Sequence, residues 1–488
     1  MMRRLLLYIL SLVALLQIAA CSDDDSYSSS GSLRLTFSLD TLSLDTLFST
    51  IESKTYTFWV YNNNSDGILI SQVRLEQGNQ TGFRVNVDGT YLDNTTGSQA
   101  QGFSLRKGDS LRVFVELTPA YTGCDTPQLV EDNLTFLLES GVSQKVNLRA
   151  YTWDALLYDS LIISASQSIS TSQPIVIKKG VRIDPGATLT IESPTTLYFN
   201  SAAGIDVYGT LLITGTAATP VVLRCSRLDN MFTYLPYDRV SGEWRGIRFY
   251  PSSEGNTIDY ADIHGCENAL QCDSASYDLT TPKLLLSNTT IHNCKGYGLH
   301  AIGVAVQAVN CQITNTLNDC VALYGGYANI VYCTIAQFYP FSSDRGVALR
   351  FQNHHDGNPI PLHGLYCLNT IITGYSDDEV MGEQQYADST AAFNYLFANT
   401  IIRTPEITDT LQLALHFTNP IFESPTDSVE GADHFILVDA NLQDYDFHLD
   451  SLSTAIGQAD YSLGSTFTTT DHDGLERTKK PDIGCYQR

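Results

Sequence analysis

The chain has 488 residues, of which 53 are Asp or Glu and 28 are Lys or Arg, so its formal net charge is -25 at pH 7. A nucleic-acid backbone is bound through clustered Lys and Arg, and the sequence has no such cluster, which excludes nucleic acid as a partner. The length predicts more than one domain.

The first twenty residues have the features of a signal peptide. Arg3 and Arg4 supply a positive start, and residues 5–16 form an apolar run that is shorter than the about 20 residues a membrane-spanning helix needs. Residues 18–21, Ile-Ala-Ala-Cys, resemble a lipobox, in which the cysteine is lipidated and becomes the new N-terminus. The resemblance implies that residues 1–20 are removed and that acyl chains on Cys21 anchor the mature protein in a membrane. The alternative is an ordinary secretory signal followed by an unrelated cysteine.

Residues 21–31 form an acidic and serine-rich linker. Within it, Ser22, Asp23, Asp24 and Asp25 resemble the acidic export tag of Gram-negative lipoproteins that are transferred to the cell surface. The resemblance implies an outer-membrane protein that is held by its lipid and exposed at the cell surface. The alternative is a solvated linker without a sorting role.

Residues 32–153 are predicted to form an immunoglobulin-like β-sandwich. Short runs alternate between apolar and polar residues with a period of two, and turn residues separate them. The runs are residues 56–61, 83–87, 111–115, 134–137 and 146–148. Three further features occur in order: residues 61–63 (Tyr-Asn-Asn) at the end of a strand, residues 107–110 (Lys-Gly-Asp-Ser) before a strand, and then residues 118–119 (Thr-Pro). This order resembles that of small immunoglobulin-like sandwiches that precede larger domains in bacterial surface proteins. We find no converging polar residues in this region and interpret it as a spacer.

Residues 154–488 contain a repeated motif of Asn or Tyr, two further residues and isoleucine, which is typical of a stacked repeat. The intervals from Ile291 to Ile313 and from Ile313 to Ile335 are both 22 residues, so about 22 residues make one coil. The motif occurs at Tyr260–Ile263, Asn288–Ile291, Asn310–Ile313, Tyr332–Ile335, Asn369–Ile372 and Asn399–Ile402.

A second apolar column follows the first and consists of Leu270, Leu299, Val321 and Val347. Two columns in step predict several strands in each coil, with every strand pairing to the coils above and below. A right-handed parallel β-helix satisfies this pattern. Asparagines stacked at the first motif position are expected to form an amide ladder inside a turn. The alternative is that they face solvent.

Three segments carry a resemblance to the right-handed β-helix superfamily that includes pectate lyases. They are residues 208–216, residues 243–247 and the end of the chain from Asp446 to Tyr486, which closes with Asp-Ile-Gly-Cys-Tyr. The expected fold class is therefore all-β, with an immunoglobulin-like β-sandwich followed by a right-handed parallel β-helix and a C-terminal closing segment. The resemblance implies a polysaccharide as ligand or substrate, although many members have no demonstrated chemistry.

The catalytic groups of such enzymes do not assemble from the sequence. Lyases of this fold need several carboxylates around calcium and an Arg or Lys base, whereas outward positions on the regular coils are mostly Thr, Gln, Asn and Tyr. Glycosidases pair carboxylates, and here Asp377 and Asp378 are the only comparable pair after the acidic tag. We therefore expect no catalytic residue, no metal site and no cofactor.

Candidate ligand-binding residues lie in three insertions between regular coils, because function concentrates in such loops. The first insertion is Tyr339 to Arg345, the second is Asn353 to His363, and the third is Ser376 to Tyr386. The second is the largest, and it is expected to lie outside the stacked core. We interpret the insertions as a saccharide-binding cleft, and the alternative is surface loops without a ligand. A metal site is disfavoured because adjacent histidines on a strand face opposite sides. The candidates are Tyr339, Phe341, Asp344, Arg345, His354, His355, Asp356, His363, Asp377, Asp378 and Glu379.

Three functions remain open at this point. The first is a non-catalytic surface protein that binds glycan or another envelope component. The second is a polysaccharide lyase or glycoside hydrolase, and the third is a structural stalk. The ten cysteines beyond Cys21 are expected to be mostly free and buried, although exported proteins also form disulfides.

Overall fold

The structure is a computed structural model that describes residues 26–273, 281–385, 391–424 and 426–488. The predicted signal peptide, Cys21 and the predicted acidic tag therefore lie outside the described residues. The chain divides into two compact units, of which the first ends at Asp154 and the second begins at Ala155. In the parts of the chain that the structure describes, no helix has the length and apolar character needed to cross a membrane.

The first unit is a β-sandwich of two mainly antiparallel sheets. One sheet contains β1-β4-β9-β6-β7, and the other contains β2-β11-β10-β5-β8 with β3 beside β11. Alternate residues of both sheets, such as Val113 and Phe136, share one apolar core, so the predicted sandwich is confirmed. The strands are β1 (Thr36–Phe37), β2 (Thr41–Ser43), β3 (Leu47–Phe48), β4 (Tyr56–Tyr61), β5 (Ile68–Leu75), β6 (Phe83–Val87), β7 (Thr90–Tyr91), β8 (Gln99–Leu105), β9 (Ser110–Leu117), β10 (Gln128–Leu138) and β11 (Ser143–Trp153).

The second unit is built mainly of short parallel strands, with helices α1 (Thr410–His416) and α2 (Tyr461–Gly464) near its end. The strands are β12 (Leu156–Ile163), β13 (Gln167–Ser170), β14 (Ile175–Ile183), β15 (Thr188–Glu192), β16 (Thr196–Phe199), β17 (Ile205–Val207), β18 (Thr210–Thr214), β19 (Val221–Cys225), β20 (Asn230–Phe232), β21 (Leu235–Pro236), β22 (Trp244–Phe249), β23 (Asn256–Asp259), β24 (Ala261–His264), β25 (Cys266–Cys272), β26 (Leu284–Ser287), β27 (Thr290–Cys294), β28 (Leu299–Ile302), β29 (Ala305–Val309), β30 (Gln312–Thr316), β31 (Val321–Tyr324), β32 (Gly326–Val331), β33 (Thr334–Gln337), β34 (Leu349–Gln352), β35 (His354–His355), β36 (Asn358–Pro359), β37 (Leu362–Leu368), β38 (Ile371–Gly374), β39 (Val380–Glu383), β40 (Phe393–Ala398), β41 (Ile401–Arg403), β42 (Phe417–Thr418), β43 (Ile421–Glu423), β44 (Phe435–Asp439) and β45 (Asp444–Leu449).

Each regular coil contributes three strands, which pair in parallel with the same strands of neighbouring coils. The three rows are β24-β27-β30-β33-β38-β41, β25-β28-β31-β34-β39 and β26-β29-β32-β37-β40. Ile263, Ile291, Ile313 and Ile335 lie in register along the first row and are buried. The predicted isoleucine column and the right-handed parallel β-helix are therefore confirmed.

The second predicted column is correct except at its last residue. Val321 pairs with Leu349 and not with Val347, so the prediction is wrong there by two residues. Val347 and Leu349 have the same parity along the chain, and alternation alone does not choose between them. The Val347 amide instead donates to Asp319 Oδ1 at 3.0 Å before the strand begins.

The first residue of each motif occupies a left-handed bend between two strands. The φ angle lies between 46° and 54° at Tyr260, Asn288, Asn310, Tyr332, Asn369 and Asn399. Asparagine tolerates this conformation better than most residues, which explains its frequency in the motif. The amide ladder holds for one pair, since Asn310 Nδ2 donates to Asn288 Oδ1 at 3.0 Å. Asn369 and Asn399 donate instead to backbone carbonyls at 2.9 and 3.2 Å.

The ten cysteines among the described residues are all free, in agreement with the expectation from the sequence. Nine of them are buried, and Cys124 is half-buried. Cys311 and Cys333, which occupy the same motif position one coil apart, pack into the core of the β-helix.

The end of the chain, residues 430–488, folds back along the side of the β-helix, and we call it the closing segment. Tyr486 Oη donates to Gln312 Oε1 at 2.8 Å, and the Cys485 amide donates to Thr334 Oγ1 at 3.1 Å. Apolar residues that point outward from the coils, such as Ala336 and Ile371, form a second small core with the closing segment. The closing segment therefore covers part of one outer face of the β-helix.

Candidate functional site

Two of the residues predicted in the first insertion fix the local fold. Tyr339 is buried, its hydroxyl lies 3.0 Å from Ser241 Oγ, and its ring meets that of Phe341 edge-on at 5.6 Å. The guanidinium of Arg345 lies 4.9 Å from the centre of the Tyr375 ring. Phe341 and Asp344 remain exposed. This insertion offers one ring and one acid to solvent.

The three predicted acids of the third insertion have different environments. Asp377 and Asp378 are exposed, whereas Glu379 is fully buried. The Glu379 carboxylate accepts hydrogen bonds from the amides of Ser376 at 2.7 Å and Ala348 at 3.0 Å. Burial raises the pKa of Glu379 to about 8, and the two amide hydrogen bonds oppose this only in part. The contacts of Glu379 are those of a structural acid.

The second insertion forms a hairpin of β35 and β36 that packs on one face of the coils. The ring of His355 lies 4.5 Å from Tyr324 and 6.2 Å from His300, and Tyr297 lies 4.6 Å from His300. We call these four rings the hairpin face. Burial, helped by the neighbouring His355, lowers the pKa of His300 to about 4, so its ring is neutral at physiological pH.

The insertion from Asn353 to His363 does not lie wholly outside the core, and the expectation is wrong at its ends. Asn353 and Leu362 are fully buried, and Asn353 Nδ2 donates to the carbonyl of Ala391 at 3.0 Å. The difference in length between coils gives the number of inserted residues, but it does not show at which residue the loop ends and the next strand begins. Asp356 is exposed at the hairpin tip, while His363 is exposed on β37, in a different sheet from the hairpin.

A pocket of about 330 Å³ lies between the outer face of the β-helix and the closing segment, and we call it the closing-segment pocket. Outward residues of β24, β27 and β30 form one wall, and the β44–β45 hairpin with Tyr486 forms the other. None of its residues was a candidate from the sequence. They are Asp238, Arg239, Asp262, His264, Thr290, His292, Asn293, Gln312, Thr314, Asn315, Gln443, Asp444, Tyr445, Asp446, Phe447, His448 and Tyr486.

Two histidines and two aspartates meet on the β-helix wall of this pocket. His264 lies between two carboxylates, with Nδ1 2.8 Å from Asp262 Oδ1 and Nε2 2.9 Å from Asp238 Oδ1. His292 Nε2 lies 3.3 Å from the same oxygen of Asp262. Burial alone would lower the pKa of His264, but the charge of Asp262 and the hydrogen bonds with both carboxylates outweigh it and raise the pKa to about 9. Asp262 has its pKa lowered well below the usual range by the two histidines, against the effect of burial.

A second set of charged groups joins the pocket to the turn at Asp473 and Gly474 in the closing segment. His448 lies 2.6 Å from Asp446 Oδ1 and 2.8 Å from Asp473 Oδ2, and His472 lies 3.1 Å from Asp473 Oδ1. The hydrogen bond with His472, opposed by burial and helped by His448, lowers the pKa of Asp473 to about 2. The ring of His448 also stacks on Tyr486 at 4.0 Å, so this set holds the closing segment together.

Several residues that line the pocket bury polar side-chain atoms that have no hydrogen-bond partner among the described residues. These atoms are the amide nitrogen and oxygen of Asn315, Nε2 of Gln443 and the hydroxyl of Tyr445. Asn315 is 1% exposed and Gln443 is 5% exposed. Leaving such a group unsatisfied costs about 1–3 kcal/mol, and buried polar groups in native proteins are paired with protein, water or ligand in nearly all cases. Both walls of the pocket therefore contain residues with buried, unpaired polar atoms.

The sequence contained a signal for one wall of the pocket. Because side chains alternate along a strand, the residues on either side of each motif isoleucine point outward in the same column. Asp262 and His264 flank Ile263, and His292 follows Ile291. The outward positions of single coils are ordinary, and the cluster emerges only when two coils are superposed. The opposite wall gave no such signal because it lies about 150 residues further along the chain.

Comparisons with known proteins agree with the architecture. Residues 162–338 match the family model of the right handed beta helix region. The superfamily of this right-handed β-helix includes lyases, hydrolases and binding proteins, so the match alone does not assign an activity. No curated protein matches the chain.

Solved structures with local similarity cover about a quarter of the chain, and their low TM-scores carry no information about function. The PapD-like domain 7 of human CEP192 is 10% identical over 25% of this chain and 88% of that chain, with a TM-score of 0.17. A family 123 glycoside hydrolase from Clostridium perfringens is 8% identical over 26% of both chains, with a TM-score of 0.17. BcpA, the major pilin subunit of Bacillus cereus, is 8% identical over 27% of this chain and 44% of that chain, with a TM-score of 0.14.

Proposed function

We propose that this protein is an exported lipoprotein that binds a saccharide or another small polar component of the cell envelope in the closing-segment pocket. In this proposal the lipid on Cys21 anchors it in the outer membrane, it is exposed at the cell surface, and the N-terminal sandwich is an immunoglobulin-like spacer. The signal-peptide pattern, the lipobox and the acidic tag support the anchor and the location. The binding role rests on the pocket.

The observation that carries the binding role is that residues on both walls of the pocket bury polar atoms without a partner among the described residues. Asn315 holds a left-handed backbone conformation, with a φ of 57°, and still buries both polar atoms of its amide without a partner among the described residues. On the facing wall, Gln443 and Tyr445 also bury unpaired donors. A ligand rich in hydroxyl groups, such as a saccharide, supplies donors and acceptors to both walls at once.

The shape and lining of the pocket fit a small polar ligand. Its volume of about 330 Å³ lies at the lower end of the range for small-molecule sites, about 300–1,000 Å³. The rings of Tyr445, Phe447 and Tyr486 line the pocket together with the polar side chains of Gln312 and Asp446, so its lining combines apolar and polar groups. A site of this size suits one or two sugar units.

A matched pair of tyrosine variants tests this role. Tyr445→Phe removes a hydroxyl without a protein partner, so we expect the melting temperature to remain unchanged while affinity for a glycan found on an array of envelope polysaccharides falls about 5- to 10-fold, which is what one hydrogen bond contributes. Tyr486→Phe removes the hydrogen bond with Gln312 and is expected to lower the free energy of unfolding by about 1 kcal/mol.

Several outcomes would contradict the proposal. Equal glycan affinity of Tyr445→Phe and the wild type would place binding elsewhere. Absence of binding to any acidic or neutral polysaccharide would favour a structural stalk. Release of reducing ends or of unsaturated uronates from the same polysaccharides would instead identify a hydrolase or a lyase.

The hairpin face is a second candidate surface, favoured by one specific observation. The inserted hairpin carries His355 onto Tyr324, so rings from neighbouring coils form one continuous row. Such a row is suited to stacking along an extended glycan chain. It requires a different ligand geometry from that of the pocket, and removal of the hairpin separates the two sites.

A further inference from the structure

The side chains of Asp262, His264 and His292 converge on one point of the pocket wall. Asp262 and His264 are two residues apart on β24 and so share its outer face, and His264 pairs in register with His292 on β27. One carboxylate oxygen and one nitrogen from each histidine lie within 4.8 Å of one another. The two imidazole rings are nearly parallel, with centres 4.7 Å apart.

Two of the three ligand separations are close to those around a divalent transition-metal ion. Zinc binds histidine nitrogen and carboxylate oxygen at about 2.0–2.2 Å in tetrahedral sites, which places neighbouring ligand atoms about 3.3 Å apart. The Asp262 Oδ1 to His292 Nε2 distance is 3.3 Å, and the Asp262 Oδ1 to His264 Nδ1 distance is 2.8 Å. An opening of about half an ångström between Asp262 and His264 would therefore admit the ion.

A second carboxylate holds His264 as metal-binding histidines are commonly held. When Nδ1 of His264 faces the ion, its Nε2 points to Asp238 Oδ1 at 2.9 Å. Asp238 is in turn fixed by Arg224 Nη1 at 2.5 Å. Such an outer carboxylate sets the tautomer and the orientation of the ring and makes the nitrogen that binds the metal more basic. The ion pair of Asp238 and Arg224 therefore fixes the orientation of His264.

The opposite side of the cluster faces the closing-segment pocket, which Asp262, His264 and His292 all line. The unpaired amide of Asn315, 1% exposed, lines the same cavity and indicates space for a group that is not part of the chain. We propose that Asp262, His264 and His292 form a binding site for a divalent transition-metal ion, zinc being the best match, with its remaining coordination position open to the pocket. This site goes beyond the proposed saccharide binding, because ion binding is measured without any saccharide.

The chemistry of the ligands selects the class of ion. Two imidazoles and one carboxylate suit zinc and its neighbours, whereas calcium and magnesium prefer all-oxygen sites. Three protein ligands with one open position are the pattern of zinc sites that bind water or a substrate, and structural zinc sites have four protein ligands.

Cobalt substitution tests the site directly. The full mature protein, purified in detergent and stripped with a chelator, is titrated with Co²⁺ and followed by visible absorption. We expect one equivalent of cobalt with nitrogen and oxygen ligands, no sulfur-to-cobalt charge-transfer band, and displacement by Zn²⁺. An absence of stoichiometric binding, or a sulfur charge-transfer band from cysteine ligands, would overturn the proposal.

Variants assign the ligands. Asp238→Asn removes only an outer partner and is expected to weaken cobalt binding about 10- to 100-fold. His292→Gln and Asp262→Asn each remove a direct ligand and are expected to weaken it further. His363→Gln changes an exposed histidine on β37; it is the control and should leave binding unchanged. Each variant is checked for folding by thermal unfolding, and two ligand variants are used so that one unstable protein does not decide the result. Wild-type affinity in folded His292→Gln or Asp262→Asn would overturn the assignment, whatever the glycan array shows.

Discussion

Arg477 of the closing segment donates from Nη2 to Oδ1 of Asn310 at 3.0 Å and so joins the end of the chain to a bend of the β-helix. The same nitrogen donates to the carbonyls of Gly484 and Cys485 at 3.0 and 3.1 Å. Its guanidinium also lies 3.8 Å from the centre of the Tyr332 ring. One buried side chain therefore fixes the closing segment, and with it one wall of the pocket.

Arg477→Met is expected to lower the free energy of unfolding by about 3 kcal/mol or more. The side chain is 5% exposed, and its loss leaves several buried oxygen atoms without donors, each at a cost of about 1–3 kcal/mol. Chemical denaturation measures the effect. Lys179→Met is the control, because its ion pair with Asp159 is exposed and such pairs contribute about 0–1 kcal/mol. Similar losses in the two variants would show that Arg477 does not fix the segment.

Glu379 should make the stability of the β-helix depend on pH. Burial raises the pKa of this carboxyl from its ordinary value of 4.5 to about 8 in the folded protein, so between these values the folded state binds more protons than the unfolded state. The resulting stabilisation is complete below about pH 4.5 and is lost as the pH rises through about 8. One pKa unit corresponds to about 1.4 kcal/mol, so the total is a few kcal/mol.

Glu379→Gln measures this contribution without the background of the other titrating groups. The difference in free energy of unfolding between the wild type and Glu379→Gln is followed from pH 4.5 to pH 8.5. We expect the wild type to lose stability relative to the variant over this range. Asp378→Asn, at the exposed neighbouring residue, should show no such trend. A difference that stays constant with pH for Glu379→Gln would mean that this carboxyl titrates normally.

The repeat in the sequence was sufficient to predict the coils, because stacking imposes the same requirement on each turn of chain. The isoleucines of the motif, from Ile263 to Ile402, are apolar because they stack in register in the core. Asparagine is frequent at the first position of the motif because the backbone is left-handed there. The alternation has a period of two and does not fix absolute position, so it does not distinguish Val347 from Leu349, which is the residue that pairs with Val321. Strand identity was therefore predictable, whereas the re-entry point of a long loop was not.

The pocket was beyond sequence reasoning because its walls come from distant parts of the chain. His264 and Tyr445 line the same pocket only because the closing segment folds back along the coils instead of continuing the stack. No periodicity marks that return, and it rests on side-chain contacts such as that of Arg477 with Asn310. The loop residues were predicted as ligand-binding from their composition, but composition does not show that Glu379 turns inward.

Removal of the β35–β36 hairpin separates the hairpin face from the pocket as the binding site. The Ile360 amide donates to the carbonyl of Asn353 at 2.8 Å, so residues 354–359 can be replaced by Gly-Gly as a two-residue turn. The replaced residues are half-buried or exposed, and we expect the melting temperature to change by no more than a few degrees. Glycan binding should be retained if the pocket is the site.

A longer deletion supplies the contrast for this variant. Removing residues 353–363 also removes Asn353 and Leu362, which are fully buried, and is expected to unfold the domain. Equal stability of the two deletions would show that these buried residues do not anchor the loop. Loss of glycan binding in the short deletion, with the fold intact, would move the site to the hairpin face.

The lipid anchor is tested by Cys21→Ser. Lipidation forms a thioether at the cysteine sulfur, and a serine hydroxyl does not replace it, so the variant should leave the detergent phase on phase partitioning while the wild type remains there. Two or more acyl chains hold a protein stably in a membrane, whereas a protein without them has no such anchor, so the shift is expected to be nearly complete. Cys124→Ser is the matched control, because this free and half-buried cysteine lies in the sandwich and is expected to have no part in anchoring.

Mass spectrometry of the wild type should show a lipid-sized addition on the peptide that begins at residue 21. Detergent partitioning of Cys21→Ser equal to that of the wild type would contradict the anchor and, with it, the proposed location in the outer membrane.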